Sequence, residues 1–244
     1  MNGHEWLIRP SQLGALMTKG RTKDKIFGDT ALKVIQDSVL LEKYNIEPTE
    51  VYNIKLDKGV YNEKANIKLA KEVLKWSDVD PETPQKKRVN SYFIGTPDIN
   101  TPTLLADIKT SWSAQTFPWF NDPKNKDYYA QLQAYMDLTG KDEAELVYVL
   151  SNHPEHIVAS EIKKLTYYFA DRPHLFQAGG IEDLWTLAEE KATEIIHKEA
   201  YYDHIPKDKR IRRFIIKKDN EFIKEAYNRI DEARKIYDEL IKTI

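Results

Sequence analysis

The chain has 244 residues, of which 41% are hydrophobic and 31% are charged, and its formal net charge is −2. This composition excludes a disordered protein, and no apolar run approaches the roughly 18 residues of a transmembrane helix. The absence of cysteine excludes disulfides, cysteine-bound zinc, iron–sulfur clusters and thiol nucleophiles. Because the chain as a whole is not a polycation, any binding of nucleic acid requires a local basic patch.

We expect a single domain over residues 1–244, because the chain is long enough to bury a core and no linker-like segment divides it. Residues 1–5 lack the basic and then apolar order of a signal peptide. Together with the absence of cysteine, this predicts a reducing, cytoplasmic location and no membrane association.

Apolar periodicity and turn signals predict the secondary structure. In chain order, the predicted elements are helices at 12–17, 29–44 and 58–76, strands at 89–94 and 104–109, a helix at 126–138, strands at 146–150 and 157–162, a helix at 181–200, a strand at 211–216 and a helix at 220–243. Ser11 is the expected N-cap of the first helix, and Gly140 ends the helix at 126–138. The strands at 89–94 and 104–109 are expected to form a hairpin. The strands at 146–150 and 157–162 are expected to be neighbours across a turn.

Strands and helices mix without strict alternation, which favours an α+β (mixed α/β) fold class. The last helix carries Ile223, Ala226 and Ile230 at three- and four-residue spacing, which predicts a buried apolar stripe. The segment from about residue 205 to residue 244 therefore forms a strand–helix extension at the carboxyl end of the domain.

Two acidic residues and a lysine lie in and beside the predicted hairpin. In a strand, residues two apart share a face, so Asp107 and Lys109 point the same way while Ile108 points into apolar packing. The hairpin brings Asp98 beside Asp107. Two close carboxylates repel unless a cation or proton separates them, and Mg²⁺ prefers such oxygen ligands. A surface salt bridge is the alternative interpretation.

A third carboxylate falls on the helix at 58–76. Glu63 lies in a stripe with Val60 and Ile67, where an unpaired carboxylate is costly and needs a cation, a donor or a metal. If the stripe instead runs through Ala65, Leu69 and Val73, Glu63 is half exposed.

Gln131 shares a helix face with Tyr128 and Tyr135, so its amide is expected to be hydrogen-bonded inside the protein. Such an amide can hold a water or a catalytic side chain. The alternative is an ordinary glutamine at the boundary of the core.

These features, in this order, resemble the PD-(D/E)XK nuclease superfamily, and most closely the phage-type exonucleases related to lambda exonuclease (the YqaJ or RecB-like group). The matching motifs are Gly59-Val60-Tyr61-Asn62-Glu63 for G-x-x-x-E, Thr96-Pro97-Asp98 for S/T-P-D, Asp107-Ile108-Lys109 for (D/E)-x-K and Gln131 to Tyr135 for Q-x-x-x-Y. At the amino end, Arg9-Pro10-Ser11 resembles the R…S element of the family. The resemblance covers residues 9–138.

The resemblance implies a restriction-endonuclease-like core, with a central mixed β-sheet flanked by helices, and metal-dependent hydrolysis of a DNA phosphodiester. In this chain, Glu63, Asp98, Asp107 and the Ile108 carbonyl would hold Mg²⁺ or Mn²⁺. Lys109 would position and help to activate the attacking water, and Gln131 would orient Lys109 or that water. Arg9 and Ser11 would receive a 5′-phosphate.

Basic residues cluster in two places. The first cluster is Lys86, Lys87 and Arg88, and the second lies at 207–213 and includes Arg212 and Arg213. Either cluster can follow DNA phosphates, giving sequence-independent binding, or form a solvated charged face.

Aromatic residues follow the second hairpin strand, at Trp112, Phe117, Trp119 and Phe120. They either stack on unpaired bases, for which Trp112 is the candidate, or form a small core under the loop.

The function expected from the resemblance is 5′→3′ exonuclease activity on double-stranded DNA ends, in phage recombination or repair within a bacterial host. A single-strand annealing protein as partner and a homo-oligomeric, trimeric ring belong to the same expectation. The alternatives are a structure-specific endonuclease of the same superfamily and a catalytically inactive DNA-binding module.

Overall fold

The protein is described by a computed structural model, which covers residues 6–22, 25–48, 53–122, 125–176 and 180–244. The α-helices of these residues are α1 (Pro10–Leu16), α2 (Asp29–Tyr44), α3 (Ile54–Leu74), α4 (Lys126–Thr139), α5 (Glu155–Ala170), α6 (Ile181–Ala200) and α7 (Asn220–Thr243). The strands are β1 (Arg88–Val89), β2 (Ile94–Gly95), β3 (Ile99–Asn100), β4 (Leu105–Thr110), β5 (Glu143–Val149) and β6 (Ile211–Lys217). Short 3-10 helices cover Pro173–Leu175 and Lys207–Arg210. None of the described helices is long and apolar enough to span a membrane.

The central sheet has the strand order β3-β4-β5-β6. Strand β4 is antiparallel to β3 and parallel to β5, and β6 is antiparallel to β5. Helix α4 connects β4 to β5, because parallel neighbours need a crossover rather than a tight turn. A mixed sheet flanked by helices confirms the predicted α+β class.

Helices α3 and α4 pack on opposite faces of this sheet, because side chains alternate along β4. Ile108 packs with Ile67 and Ala70 of α3. Leu105, three positions earlier, packs with Leu132 of α4. The odd-numbered residues of β4 therefore face α4 and the even-numbered residues face α3.

A second apolar cluster joins the first and last helices of the chain. Ala226 and Ile230 of α7 are fully buried with Leu13 of α1 and Ile35 of α2. The stripe predicted on the last helix is thereby confirmed. The segment predicted as a carboxyl-terminal extension contains β6, which pairs with β5, and α7, which packs on α1 and α2.

Most predicted elements agree with the structure within one or two residues, including the helices at 29–44, 126–138 and 181–200 and the strand at 104–109. Gly140 follows α4 in the left-handed conformation, with φ 70°. Helix α3 begins at Ile54 rather than at residue 58, since the side chain of Asn53 caps it by accepting the backbone N–H of Lys55.

The predicted strand at 157–162 was wrong, because this segment lies within α5. Ile157 and Val158 are buried, but a short apolar run does not distinguish a strand from a buried helix face. The helix starts directly after Pro154, and Glu155 lies in its first turn, where a carboxylate is favourable.

The predicted strand at 89–94 was also wrong. The Asn90 side chain accepts the backbone N–H groups of Tyr92 and Phe93, and this local turn divides the segment into β1 and β2. These two-residue strands pair with each other, and β3, not 89–94, is the antiparallel neighbour of β4.

Ser11 is not the N-cap of the first helix. The helix begins at Pro10, which suits a first helical position because it lacks an N–H, and Arg9 is therefore the N-cap residue.

Candidate active site

Asp98 lies in the turn between β2 and β3, and its carboxylate reaches the neighbouring strand. The backbone N–H of Ile108 donates a hydrogen bond of 2.7 Å to Asp98 Oδ2. Strand β3 is only two residues long, so this side chain continues the contact with β4 where the strand pairing ends. The turn thereby holds Asp98 at the middle of β4, next to Asp107.

Asp107, Lys109 and Gln131 form a closed network on the α4 side of the sheet. Lys109 Nζ lies 2.7 Å from Asp107 Oδ2 and donates to Gln131 Oε1 at 3.1 Å. Gln131 Nε2 donates to Asp107 Oδ1 at 3.2 Å. Since Asp107 is only 1% exposed, the network is internal and not a surface salt bridge.

One face of α4 contacts both Thr96-Pro97-Asp98 and Asp107-Ile108-Lys109. Gln131 binds the β4 residues, and one turn later the Tyr135 hydroxyl donates to the Thr96 carbonyl at 2.9 Å. Helix α1 packs closely against Gly95, just before the same turn. A Cβ added at Gly95 would lie only 2.7 Å from Pro10 Cδ. Glycine is therefore required at this close approach.

The electrostatics of the network favour a cation. Burial, followed by the charge of Asp107, raises the pKa of Asp98 to about 7. Burial also raises the pKa of Asp107, against the effect of the Lys109 ammonium. Burial lowers the pKa of Lys109, but the charge of Asp107 and its hydrogen bond outweigh burial, so that the pKa is raised. Two carboxyls in this state need a proton or a positive ion between them.

Glu63 lines the same cleft, of about 400 Å³, from α3. Its predicted place in an apolar stripe was wrong, because Glu63 is exposed and Val60 is 74% exposed. The buried face of α3 instead runs through Lys58 and Asn62, which bond to the ends of β4 and β5. The negative charge of Glu63 nevertheless contributes to the raised pKa of Asp98.

The residues of this cleft fit a hard divalent cation. Among the described residues, no three acidic or histidine side chains lie close enough to enclose a metal ion by themselves. Asp107 Oδ2 is buried and lies 2.7 Å from Lys109 Nζ, and a carboxylate oxygen in one such contact keeps a second lone pair for a ligand. Carboxylate oxygens, a backbone carbonyl and waters are the donor set that Mg²⁺ and Mn²⁺ use. Asp98, Asp107, Glu63 and Ile108 supply such groups to the cleft.

The two residues of the amino-terminal motif line different clefts. Ser11 lines the cleft of Asp98 and Lys109. Arg9 lines a neighbouring cleft of about 550 Å³ together with Lys87.

Three further residues, which the sequence motifs did not indicate, line the same cleft. They are Lys55 and Leu56 of α3 and Asp127 of α4, each of them on the helix face of a residue already identified. Lys55 and Leu56 precede Glu63 by eight and seven residues, and Asp127 precedes Gln131 by four, so helical spacing was the signal for all three. Tyr128 lies there as well, with its ring centroid 4.5 Å from Lys109 Nζ.

The basic candidates differ in their surroundings. Lys86, Lys87 and Arg88 are exposed, and no ion pair within the described part of the chain involves them. In contrast, Arg212 donates to the Trp119 carbonyl, and Arg213 Nη1 lies 3.2 Å from Glu145 Oε1.

The aromatic candidate Trp112 packs edge-on against His153, with the ring centroids 4.5 Å apart. It is only partly exposed.

The fold matches solved structures of exonucleases. A phage-related exonuclease from Haemophilus somnus 129PT has a TM-score of 0.70 and 24% identity, over 98% of this chain and 97% of that one. The alkaline exonuclease LHK-Exo from Laribacter hongkongensis has a TM-score of 0.58 and 13% identity, over 97% and 90%. Its complex with dAMP has a TM-score of 0.57 and 14% identity, over the same shares.

This chain has the fold of these exonucleases. The fold that the resemblance implied is therefore confirmed. No protein-family model and no curated protein sequence matches the chain.

Proposed function

We propose that this chain is a metal-dependent DNA exonuclease that hydrolyses phosphodiester bonds 5′→3′ from double-stranded ends, in phage recombination or repair. The observation that carries the proposal is the buried network of Asp107, Lys109 and Gln131, with Asp98 beside it. The fold shared with solved exonucleases supports it.

In this proposal Asp98, Asp107, Glu63 and the Ile108 carbonyl would hold Mg²⁺ or Mn²⁺. When bound, such an ion supplies positive charge to the reacting phosphate and makes a water more acidic.

Lys109 has one N–H on Gln131 and another directed at Asp107, so its ammonium keeps a third N–H for the attacking water or the phosphate. Gln131 holds Lys109 by its oxygen and Asp107 by its nitrogen, and thereby fixes the distance between them. Lys109 and Asp107 are thus the proposed catalytic residues and Gln131 the residue that positions them.

Ser11 is the proposed contact for a terminal 5′-phosphate, because it lines the catalytic cleft. Arg9 lies with Lys87 in the neighbouring cleft, which favours a phosphate further along the same DNA. The other proposed DNA contacts are Lys86, Arg88, Trp112, Arg212 and Arg213.

Three parts of this proposal rest on the resemblance to the nuclease family alone. They are an annealing protein as partner for the single strand, assembly into a ring of three copies and action in the cytoplasm of a bacterial host. Each is part of this proposal.

Cleavage of end-labelled duplexes tests the function. We expect release of nucleotides with Mg²⁺ and none with EDTA, faster from a 5′-phosphate than from a 5′-hydroxyl end. A label at the 5′ end should be released before a label at the 3′ end. Internal cuts would instead indicate a structure-specific endonuclease. Binding without cleavage in Mg²⁺ and in Mn²⁺ would indicate a DNA-binding module.

A further inference from the structure

The loop that joins β4 to α4 begins and ends at the catalytic cleft. Lys109 and Thr110 line the cleft before the loop, and Asp127 and Tyr128 line it after the loop. Phe120 lies between these ends and is 91% exposed, more than any other large hydrophobic side chain in the described ranges. An exposed apolar ring therefore lies in the loop whose two ends line the cleft.

The part of the loop before Phe120 is anchored to the protein. Phe117 is 3% exposed and packs edge-on against Trp119, with ring centroids 4.7 Å apart. Trp119 Nε1 donates to the Ala114 carbonyl at 2.7 Å, and Arg212 donates to the Trp119 carbonyl. The residue next to Phe120 is thus held by its side chain and by its backbone, and the exposed ring projects from a fixed point.

The loop also approaches the tyrosines beside the catalytic lysine. Tyr148 of β5 pairs with Lys109 of β4 and with Arg212 of β6, so the three residues form one row across the sheet. Arg212 donates to the Trp119 carbonyl in the loop. The Tyr148 ring centroid lies 6.2 Å from that of Tyr128. Tyr128 in turn lies against Lys109. The residue before Phe120 is therefore anchored two strands, or about 10 Å, across the sheet from Lys109.

The other aromatic side chains of the loop are engaged with the protein. Trp112 packs on His153, and Phe117 packs with Trp119. A bare aromatic ring beside a DNA site finds its best partner in a nucleobase, because every base has a flat π face and stacking removes both faces from water. Phosphates offer no such partner.

We propose that Phe120 is a nucleobase-stacking residue, and that its ring stacks on an unpaired base at the DNA end held in the catalytic cleft. This inference rests on the proposed nuclease function. The ligand of the site is the face of a base of any sequence, so the contact adds affinity for frayed or single-stranded ends without sequence preference.

A binding cycle between protein and DNA variants tests the contact. Fluorescence anisotropy, with Ca²⁺ replacing Mg²⁺ to prevent cleavage, gives the affinity for duplexes that carry one abasic position among the first four of either strand. We expect Phe120→Ala to weaken binding by about tenfold. At the contacted position, an abasic site should weaken wild-type binding to a similar extent and should have no further effect on the variant.

Matched variants at the same position separate stacking from general apolar contact. Phe120→Trp should keep the affinity, whereas Phe120→Leu, which is apolar but has no ring, should lose it as Phe120→Ala does. Ile181→Ala, at a residue that is 76% exposed on α6, is the surface control and should bind as the wild type does.

Two results would overturn the stacking proposal: full affinity in Phe120→Leu, or no coupling to any abasic position. Wild-type cleavage is measured in parallel, so the two proposals fail separately. Cleavage by the wild type without coupling would remove the stacking contact alone. Coupling without wild-type cleavage in Mg²⁺ or Mn²⁺ would remove the nuclease proposal alone.

Discussion

At the scale of single residues, one amide organises the proposed catalytic centre. Gln131 offers an acceptor to Lys109 and a donor to Asp107, and no charged side chain can serve both partners at once. The lysine and the aspartate thereby keep a fixed separation in a site where a displacement of about 1 Å can cost on the order of 100-fold in rate.

Lys109→Ala should reduce the single-turnover cleavage rate by about 100-fold or more, because the charge and the N–H donor at the reacting phosphate are lost. DNA affinity should change little, since the phosphate contacts elsewhere remain. Lys235→Ala, at a surface lysine of α7, is the matched control. Normal turnover of Lys109→Ala would contradict the assigned mechanism.

Gln131→Leu should lower kcat by about tenfold or more with little change in KM, because Lys109 and Asp107 lose their spacer. The matched control is Gln133→Leu on the same helix. Gln133 is buried and bonds to the backbone of Lys217 and Asp219, so its loss should reduce stability but not kcat of the folded enzyme. Equal kcat losses in both variants would indicate a merely structural role for Gln131.

Glu63→Gln should raise the Mg²⁺ concentration needed for half-maximal cleavage, because a charged oxygen ligand is replaced by a neutral amide. Glu72→Gln, at a glutamate further along α3 that pairs with Lys207, is the control. A metal titration of cleavage measures both. An unchanged titration would remove Glu63 from the proposed metal site.

At the scale of elements, α3 packs on the sheet through polar as well as apolar groups. Lys58, Asn62 and Asn66, four residues apart, lie on its buried face. Lys58 Nζ donates to the carbonyls of Ser111 and Trp112 at 2.9 Å each. The backbone carbonyls at the carboxyl ends of β4 and β5 need donors when they are buried, and this helix supplies them.

Lys58 should make stability depend on pH. Its side chain is fully buried, and burial lowers the pKa of its ammonium to about 7. Between about pH 7 and 10.5 the unfolded chain binds a proton that the folded chain does not, so the free energy of unfolding rises with pH by up to about 1.4 kcal/mol per unit.

Lys58→Met should abolish this increase. Denaturant unfolding at pH 7, 8 and 9 gives the free energy of unfolding of the wild type and of the variant. The difference between these two free energies should grow with pH. Lys64→Met, at an exposed lysine on the same helix, should keep the wild-type slope. A difference between wild type and Lys58→Met that stays constant from pH 7 to 9 would show that Lys58 has the same pKa in both states.

At the scale of the whole molecule, a net charge of −2 leaves DNA binding to local basic groups. The structure favours Lys86 and Lys87, which are exposed, over Arg212 and Arg213, which contact Trp119 and Glu145. We therefore expect the two clusters to contribute differently to the proposed DNA binding although their formal charge is similar.

The double variant Lys86→Ser/Lys87→Ser should reduce the slope of log affinity against log salt by about 2, as two lost phosphate contacts require. Arg212→Ser/Arg213→Ser removes the same charge and should reduce the slope by less. DNA affinity between 50 and 200 mM salt measures both, with these concentrations chosen for the roughly 10³-fold range they give. A larger reduction of the slope in Arg212→Ser/Arg213→Ser than in Lys86→Ser/Lys87→Ser would instead indicate that the DNA crosses β6.

The sequence alone determined the features of the fold that depend on local periodicity. Alternation along β4 placed Asp107 and Lys109 on one face and Ile108 on the other, and the structure agrees. Helix α2 was predicted to end before Pro48, and helix α7 followed from its apolar spacing. The α+β class followed from the order of such elements.

Only the tertiary structure decided which faces and which neighbours these elements have. Glu63 is exposed because Lys58 and Asn62 bond to strand ends that lie about 50 to 90 residues away along the chain. Arg9 and Ser11 line different clefts because α1 docks against the turn at Gly95. Gln131 binds Asp107 and Lys109 only because α4 crosses over β4. Helical phase and side-chain partners are set by long-range packing, which a local pattern does not contain.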